Sequence, residues 1–188
     1  MTRRSKANGP TRYVIDHGAY LVGLHVFCDG ACEPNPGPGG WAFVAYDDGA
    51  EIFSAHGNAS QTTNNVMEMT GALQAILWIS ANAADRQARL HCDSQYVVKG
   101  CNEWRHSWKR KNWMRGVNAP VKNLELWQEL DAALLAFPLT LSWVKGHAGV
   151  MGNERADELS FAAARAAGSS EIAVDHLTAA YRQIMARN

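Results

Sequence analysis

Four acidic residues, Asp29, Glu68, Asp93 and Asp157, share one local signature: each stands where an apolar strand-like run stops or a helix-like pattern begins. Singly, each has an ordinary explanation, because an aspartate at a strand end initiates turns and an acid in a first helical turn favours the helix dipole. Gathered in one place they would repel one another unless a hard divalent cation neutralised them, and oxygen ligands suit Mg²⁺. Two such ions ~4 Å apart activate a water and stabilise a leaving oxygen, the chemistry of phosphodiester hydrolysis. His147 lies in the glycine-rich stretch Gly146-His147-Ala148-Gly149. Such a loop leaves its imidazole exposed and free to carry a proton near neutral pH.

Convergence of these residues requires particular elements. An apolar run over 20–28 reads as a first strand that ends near Asp29, because Pro34, Pro36 and Pro38 donate no ladder hydrogen bonds and the interspersed glycines permit a tight reversal. Runs over 40–46 and 51–56, separated by Asp47-Asp48-Gly49, complete an antiparallel meander. The segment 61–78 reads as the first long helix, with Thr62, Thr63 and Asn64 as N-cap candidates and Val66, Met69, Leu73, Ile76 and Leu77 on a buried stripe beside Glu68. Arriving after a helix, the strand over 89–93 should lie parallel to the first and next to it, so that Asp29 and Asp93 share a sheet edge. A helix over 124–137 stopped by Pro138, a last strand over 139–145, the His147 loop and a helix starting at Asn153 complete the pattern.

The chain has 188 residues, 47% of them hydrophobic, which suits one soluble globular domain with short appendages. Its formal net charge is 0, so an anionic partner must be held by a local patch. Residues 104–122 form one: Arg105, Lys109, Arg110, Lys111, Arg115 and Lys122 occur there without an acid, interleaved with Trp104, Trp108 and Trp113. Bases and sugars stack on such rings while cations meet phosphates; the alternative is an amphipathic helix whose tryptophans pack inward. Cys28, Cys32, Cys92 and Cys101 form no CxxC pair and no zinc-type spacing, and read as reduced thiols in or near the core. No apolar run of membrane-spanning length and no secretory signal pattern is present, and a cytoplasmic monomer is expected. The organisation expected is a basic N-terminal extension over 1–23, with Arg3, Arg4, Lys6 and Arg12 in a mobile arm, a catalytic domain over 24–167, and a helical extension over 168–188 whose amphipathic part covers 171–187.

The stretches FCDGACEPNPGPGGW, TTNNVMEM, CDSQYVVKG, WVKGHAG and NERADELS, in that order, resemble type-one ribonuclease H of the bacterial kind over about 24–167. The resemblance implies an α/β fold, a five-stranded mixed sheet flanked by helices, and endonucleolytic cleavage of the RNA strand of RNA/DNA hybrids with Mg²⁺ or Mn²⁺, leaving 3′-hydroxyl and 5′-phosphate ends. It places the metal-binding acids on Asp29, Glu68, Asp93 and Asp157 and the catalytic histidine on His147. Substrate contacts fall on Asn35, Asn64, Asn65 and Gln95, and the basic protrusion on 104–122. The protrusion's later half, Gly116-Val117-Asn118-Ala119, is less basic than in the best-known relatives. A proofreading-type exonuclease of the same superfold would carry a second acid where Ala31 stands, and a non-catalytic hybrid-binding module would show no metal dependence.

Overall fold

The computed structural model describes residues 17–167. The arm expected over 1–12 and the amphipathic helix expected over 171–187 lie outside the described residues. The sheet is built from β1 (Leu24–Cys32), β2 (Gly37–Asp47), β3 (Ala50–Thr62), β4 (Arg89–Cys92) and β7 (Leu141–Trp143), in the order β3-β2-β1-β4-β7. β1 pairs antiparallel with β2 and parallel with β4, and β4 pairs parallel with β7. A separate two-stranded ribbon joins β5 (Met114–Gly116) to β6 (Ala119–Pro120). The helices are α1 (Asn64–Asn82), α2 (Gln95–Lys99), α3 (Arg105–Arg110), α4 (Leu124–Ala136) and α5 (Met151–Ala167). A π-helical turn over Gly100–Trp104 links α2 to α3.

The period-two alternation of β1 separates two faces. Val26 and Cys28 enter the larger core with Met69, Leu73 and Ile76 of α1, whereas Phe27 enters a smaller cluster with Val44, Tyr46 and Ala156 of α5. Met69 and Ile76 are fully buried, each worth about 1.5–3 kcal/mol of transfer free energy. Helices α1 and α5 thus clamp the central strand from opposite sides. Among the described residues, no helix is long and apolar enough to cross a membrane.

Several element boundaries differ from the sequence reading. The first strand does not end near Asp29 but continues to Cys32, because Gly30, Ala31 and Cys32 pair with Trp41, Gly40 and Gly39. The glycines read as turn residues are strand backbone, and the reversal is confined to 33–36. Tyr20, expected in that strand, lies instead in a 3₁₀ turn (His17–Tyr20), where its ring packs on Phe27 and His91. The first helix begins at Asn64 because β3 extends to Thr62, leaving Thr63 as the cap whose side chain accepts from the Val66 amide at 3.4 Å. The last strand is shorter than 139–145, at Leu141–Trp143.

Candidate active site

Parallel pairing places Cys28 opposite Cys92, so the residues that follow them, Asp29 within β1 and Asp93 just past the end of β4, emerge at the same sheet edge. Glu68 joins them because α1 lies unusually close to β1: a Cβ at Gly30 would collide with the backbone of Met67 and Glu68. The opposite face uses the same device, since a Cβ at Gly40 would meet the α5 backbone at Ser160 and Ala164. This brings Asp157 over the same edge. A cleft of about 570 Å³ is lined by all four acids and by His147, together with Asn35 and Asn64.

The carboxylates are held individually. Ser160 Oγ lies 3.0 Å from Asp29 Oδ2 and 2.9 Å from the Asp157 carbonyl, close enough for its one proton to serve either acceptor. Asn153 Nδ2 donates to Asp93 Oδ2 at 3.1 Å, and Asn64 Nδ2 donates to Glu68 Oε1 at 3.4 Å. Asn153, Asp157 and Ser160 follow a 4,3 spacing on α5, which puts all three on one face. Their polar character on a stripe otherwise made of Gly152, Ala156, Ala163 and Ala164 was a legible signal for Asn153 and Ser160.

Electrostatics mark the cleft as a place short of positive charge. Burial and the nearby Asp93 push the Asp29 carboxyl from its ordinary 3.8 up to about 7, against the opposing hydrogen bonds from Gly30 and Ser160. Burial, with the Cys92, Asp29 and Asp93 side chains adding to it, pushes Glu68 well above its usual range. Glu68 is only 7% exposed and its Oε2 has no hydrogen-bond partner. Asp157 is also raised, chiefly by burial and despite the proximity of His147. His147 has positive φ, a side chain 76% exposed, and Nδ1 3.8 Å from Asp157 Oδ2. An imidazole so placed can exchange protons with solvent while facing the acids.

Among the residues assigned to substrate by resemblance, Asn35 and Asn64 border the cleft, with the Asn64 backbone N–H donating to Asn35 Oδ1 at 3.2 Å. Asn65 is exposed on α1, and Gln95 is exposed at the start of α2, its Oε1 accepting from Lys99 at 3.1 Å. Asn65, Gln95 and the 104–122 protrusion do not line the cleft.

The protrusion differs from the sequence reading in its charge balance. Two of its six cations are compensated, because Asp131 of α4 receives Arg105 Nη1 at 2.6 Å and Lys109 Nζ at 2.7 Å. A reading confined to 104–122 missed an acid that tertiary folding supplies from another helix. Burial raises the Asp131 carboxyl, but the Lys109 and Arg105 hydrogen bonds outweigh it and the net effect is a lowering. Arg105 is itself buried, whereas Arg110, Lys111, Arg115 and Lys122 are exposed. The tryptophans largely pack inward: Trp104 and Trp108 tilt against each other, Trp104 meets Tyr96, and Trp108 meets the buried Trp127 edge to face at 5.2 Å. Trp113 also packs against the main core, in a positive-φ turn. All three rings keep part of their surface open.

The RNase H family model matches residues 23–165. The chain is 49% identical over 138 residues to a ribonuclease H of Caulobacter sp. (strain K31), covering 73% of this chain and 86% of that protein. It is similar in structure to LC9-RNase H1, described as a type 1 RNase H with the type 2 active-site motif, with a TM-score of 0.66 and 28% identity over 77% of this chain and 74% of that one. The fold is also shared with LC11-RNase H1 solved in complex with RNA/DNA hybrid, at a TM-score of 0.59 and 20% identity over 78% of this chain and 99% of that one. With the family matched across most of its length and the acids at one sheet edge, the chain belongs to the ribonuclease H family and is a hydrolase of the bacterial kind.

Proposed function

We propose that this ribonuclease H cuts the RNA strand of RNA/DNA hybrids internally, with Mg²⁺ or Mn²⁺ held by Asp29, Glu68, Asp93 and Asp157, and releases 3′-hydroxyl and 5′-phosphate ends. The observation that carries the reading is the meeting of four carboxylates in one cleft, with Asp29 raised to about 7. The buried, partnerless Glu68 Oε2 fits a hard cation, because it lacks any protein donor that could replace one. When bound, a pair of such ions activates water and stabilises the departing 3′ oxygen.

The chain's own residues then have distinct tasks. Ser160, Asn153 and Asn64 hold the carboxylates of Asp29, Asp93 and Glu68 in orientation. His147 takes or delivers a proton at its exposed imidazole beside Asp157. Asn35 and Asn64 touch the hybrid at the cleft, Asn65 and Gln95 touch it outside the cleft, and Arg110 and Lys111 meet phosphates farther along it. Lys109 contributes less than its position in the sequence suggests, because Asp131 already engages it. Trp104, Trp108 and Trp113 chiefly shape the protrusion and offer only their open edges to nucleic acid. Residues 24–167 form the catalytic domain, and the protein works as a cytoplasmic monomer.

The test offers end-labelled RNA/DNA hybrid, duplex DNA and duplex RNA to the enzyme, with Mg²⁺ and with EDTA. Mg²⁺-dependent cutting confined to the RNA of the hybrid, with products extendable from their 3′ ends, is the expected result. Equal cutting of duplex DNA, or cutting in EDTA, would contradict the proposal.

A further inference from the structure

The carboxylates are not alone at the sheet edge. Cys92 is the last residue of β4 and its thiol faces the α1 side, in the core shared with Cys28 and Met69. One ligand atom each from Glu68, Cys92 and Asp93 lies within 4.8 Å of the others. Cys92 is 0% exposed, and Glu68, 7% exposed, presents an oxygen without a partner. Mg²⁺ has no use for sulfur, but borderline and soft ions prefer it. A tetrahedral ion with Zn–S near 2.3 Å and Zn–O near 2.1 Å holds such atoms roughly 3.6 Å apart. Side-chain shifts of about 1 Å therefore close the cluster around one ion.

We propose that Cys92 makes this edge a second kind of metal site, in which a thiophilic divalent cation such as Zn²⁺ or Cd²⁺ is held by Cys92 Sγ with Glu68 and Asp93. The inference rests on the assignment of Glu68 and Asp93 as metal ligands. Binding forms a sulfur–metal bond and breaks the S–H bond, with the thiol proton released to buffer. No electron transfer is involved. Because this ion draws on two carboxylates that Mg²⁺ also needs, it excludes Mg²⁺ and stops turnover. The site thereby makes the enzyme sensitive to thiophilic metals through its own core cysteine.

The experiment titrates the full chain with Cd²⁺ in metal-free, oxygen-free buffer and reads the ultraviolet thiolate-to-metal charge-transfer absorption and the protons released. The expected result is a saturable band that is lost in both Cys92→Ala and Cys92→Ser and kept in Cys28→Ala. Cys92→Ala should weaken Cd²⁺ by at least about 100-fold while leaving Mg²⁺ affinity within about twofold. Urea unfolding identifies a variant that has lost its fold, and Asp93→Asn, which removes an oxygen ligand without touching the core thiol, should independently weaken Cd²⁺. No band in the unaltered chain, a band surviving in a folded Cys92 variant, or unchanged Cd²⁺ affinity in Asp93→Asn would overturn the proposal. A missing band beside normal Mg²⁺-dependent hybrid cleavage refutes this site alone. A band without any cleavage supports this site and refutes the hydrolytic reading.

Discussion

Replacing Asp29 by Asn should stabilise the metal-free protein at neutral pH, and the size of the gain follows from the cleft. The folded carboxyl is raised from 3.8 to about 7, so the native state binds this proton more tightly than the unfolded chain does. Asp29 is therefore harmless below pH ~4, where it is protonated in both states, and costs progressively more as pH rises from about 4 to about 7. Three units at about 1.36 kcal/mol each set a ceiling of roughly 4 kcal/mol. Side-chain relaxation and water entry reduce this, and about 2–3 kcal/mol is expected. Asn carries no charge, and its amide can donate to Ser160 Oγ while Ser160 turns its proton to the Asp157 carbonyl 2.9 Å away. The assay is urea unfolding and thermal melting in EDTA between pH 4 and pH 8, on both proteins. The two curves should coincide near pH 4 and diverge toward pH 8, the variant melting about 5–10 °C higher there. Saturating Mg²⁺ should remove the variant's advantage, because only the unaltered site binds it fully. Parallel pH profiles, or a variant less stable at pH 8, would refute the reasoning that Asp29 is held ionised at a cost.

Three further outcomes follow from the geometry. His147→Ala should lower kcat by about 100-fold to 10,000-fold without moving the melting temperature, since the side chain is 76% exposed; unchanged kcat would return His147 to an ordinary loop position. Arg110→Ala and Lys111→Ala should each reduce the salt slope of hybrid binding by about one unit, whereas Lys109→Ala should reduce it less and cost stability through Asp131; equal slopes for all three would contradict the pairing. Gly30→Ala must push α1 off β1, and should lower stability by about 3 kcal/mol or more and abolish cleavage, as measured by urea unfolding and hybrid hydrolysis.

Much of this arrangement was legible because its parts are local. The apolar run of the first strand and the parallel crossover were enough to put Asp29 and Asp93 at one edge, as the register bears out, and the 3,4 stripe of α1 set Glu68 beside the core, from where it reaches the same cleft. What escaped was non-local. The continuation of β1 through Gly30 to Cys32 depends on β2 accepting glycines as ladder partners, which composition alone assigns to a turn. Asp131 lies 22 residues from Lys109 and reaches it only because α4 packs back beside the protrusion, so charge counting within 104–122 could not see it. Cys92 read as a core thiol, which it is, yet its neighbourhood to Glu68 depends on how closely Gly30 admits α1.

The central claim is that the carboxylates exist to hold metal for hydrolysis and not to hold the fold. Its most direct measurement is cleavage of a labelled RNA/DNA hybrid in Mg²⁺ by Asp93→Asn, alongside hybrid binding and the melting temperature in EDTA. Asn at this position can still accept from Asn153, so the fold and the binding should persist while cleavage falls to a trace. Near-normal cleavage by a folded Asp93→Asn protein would contradict the account.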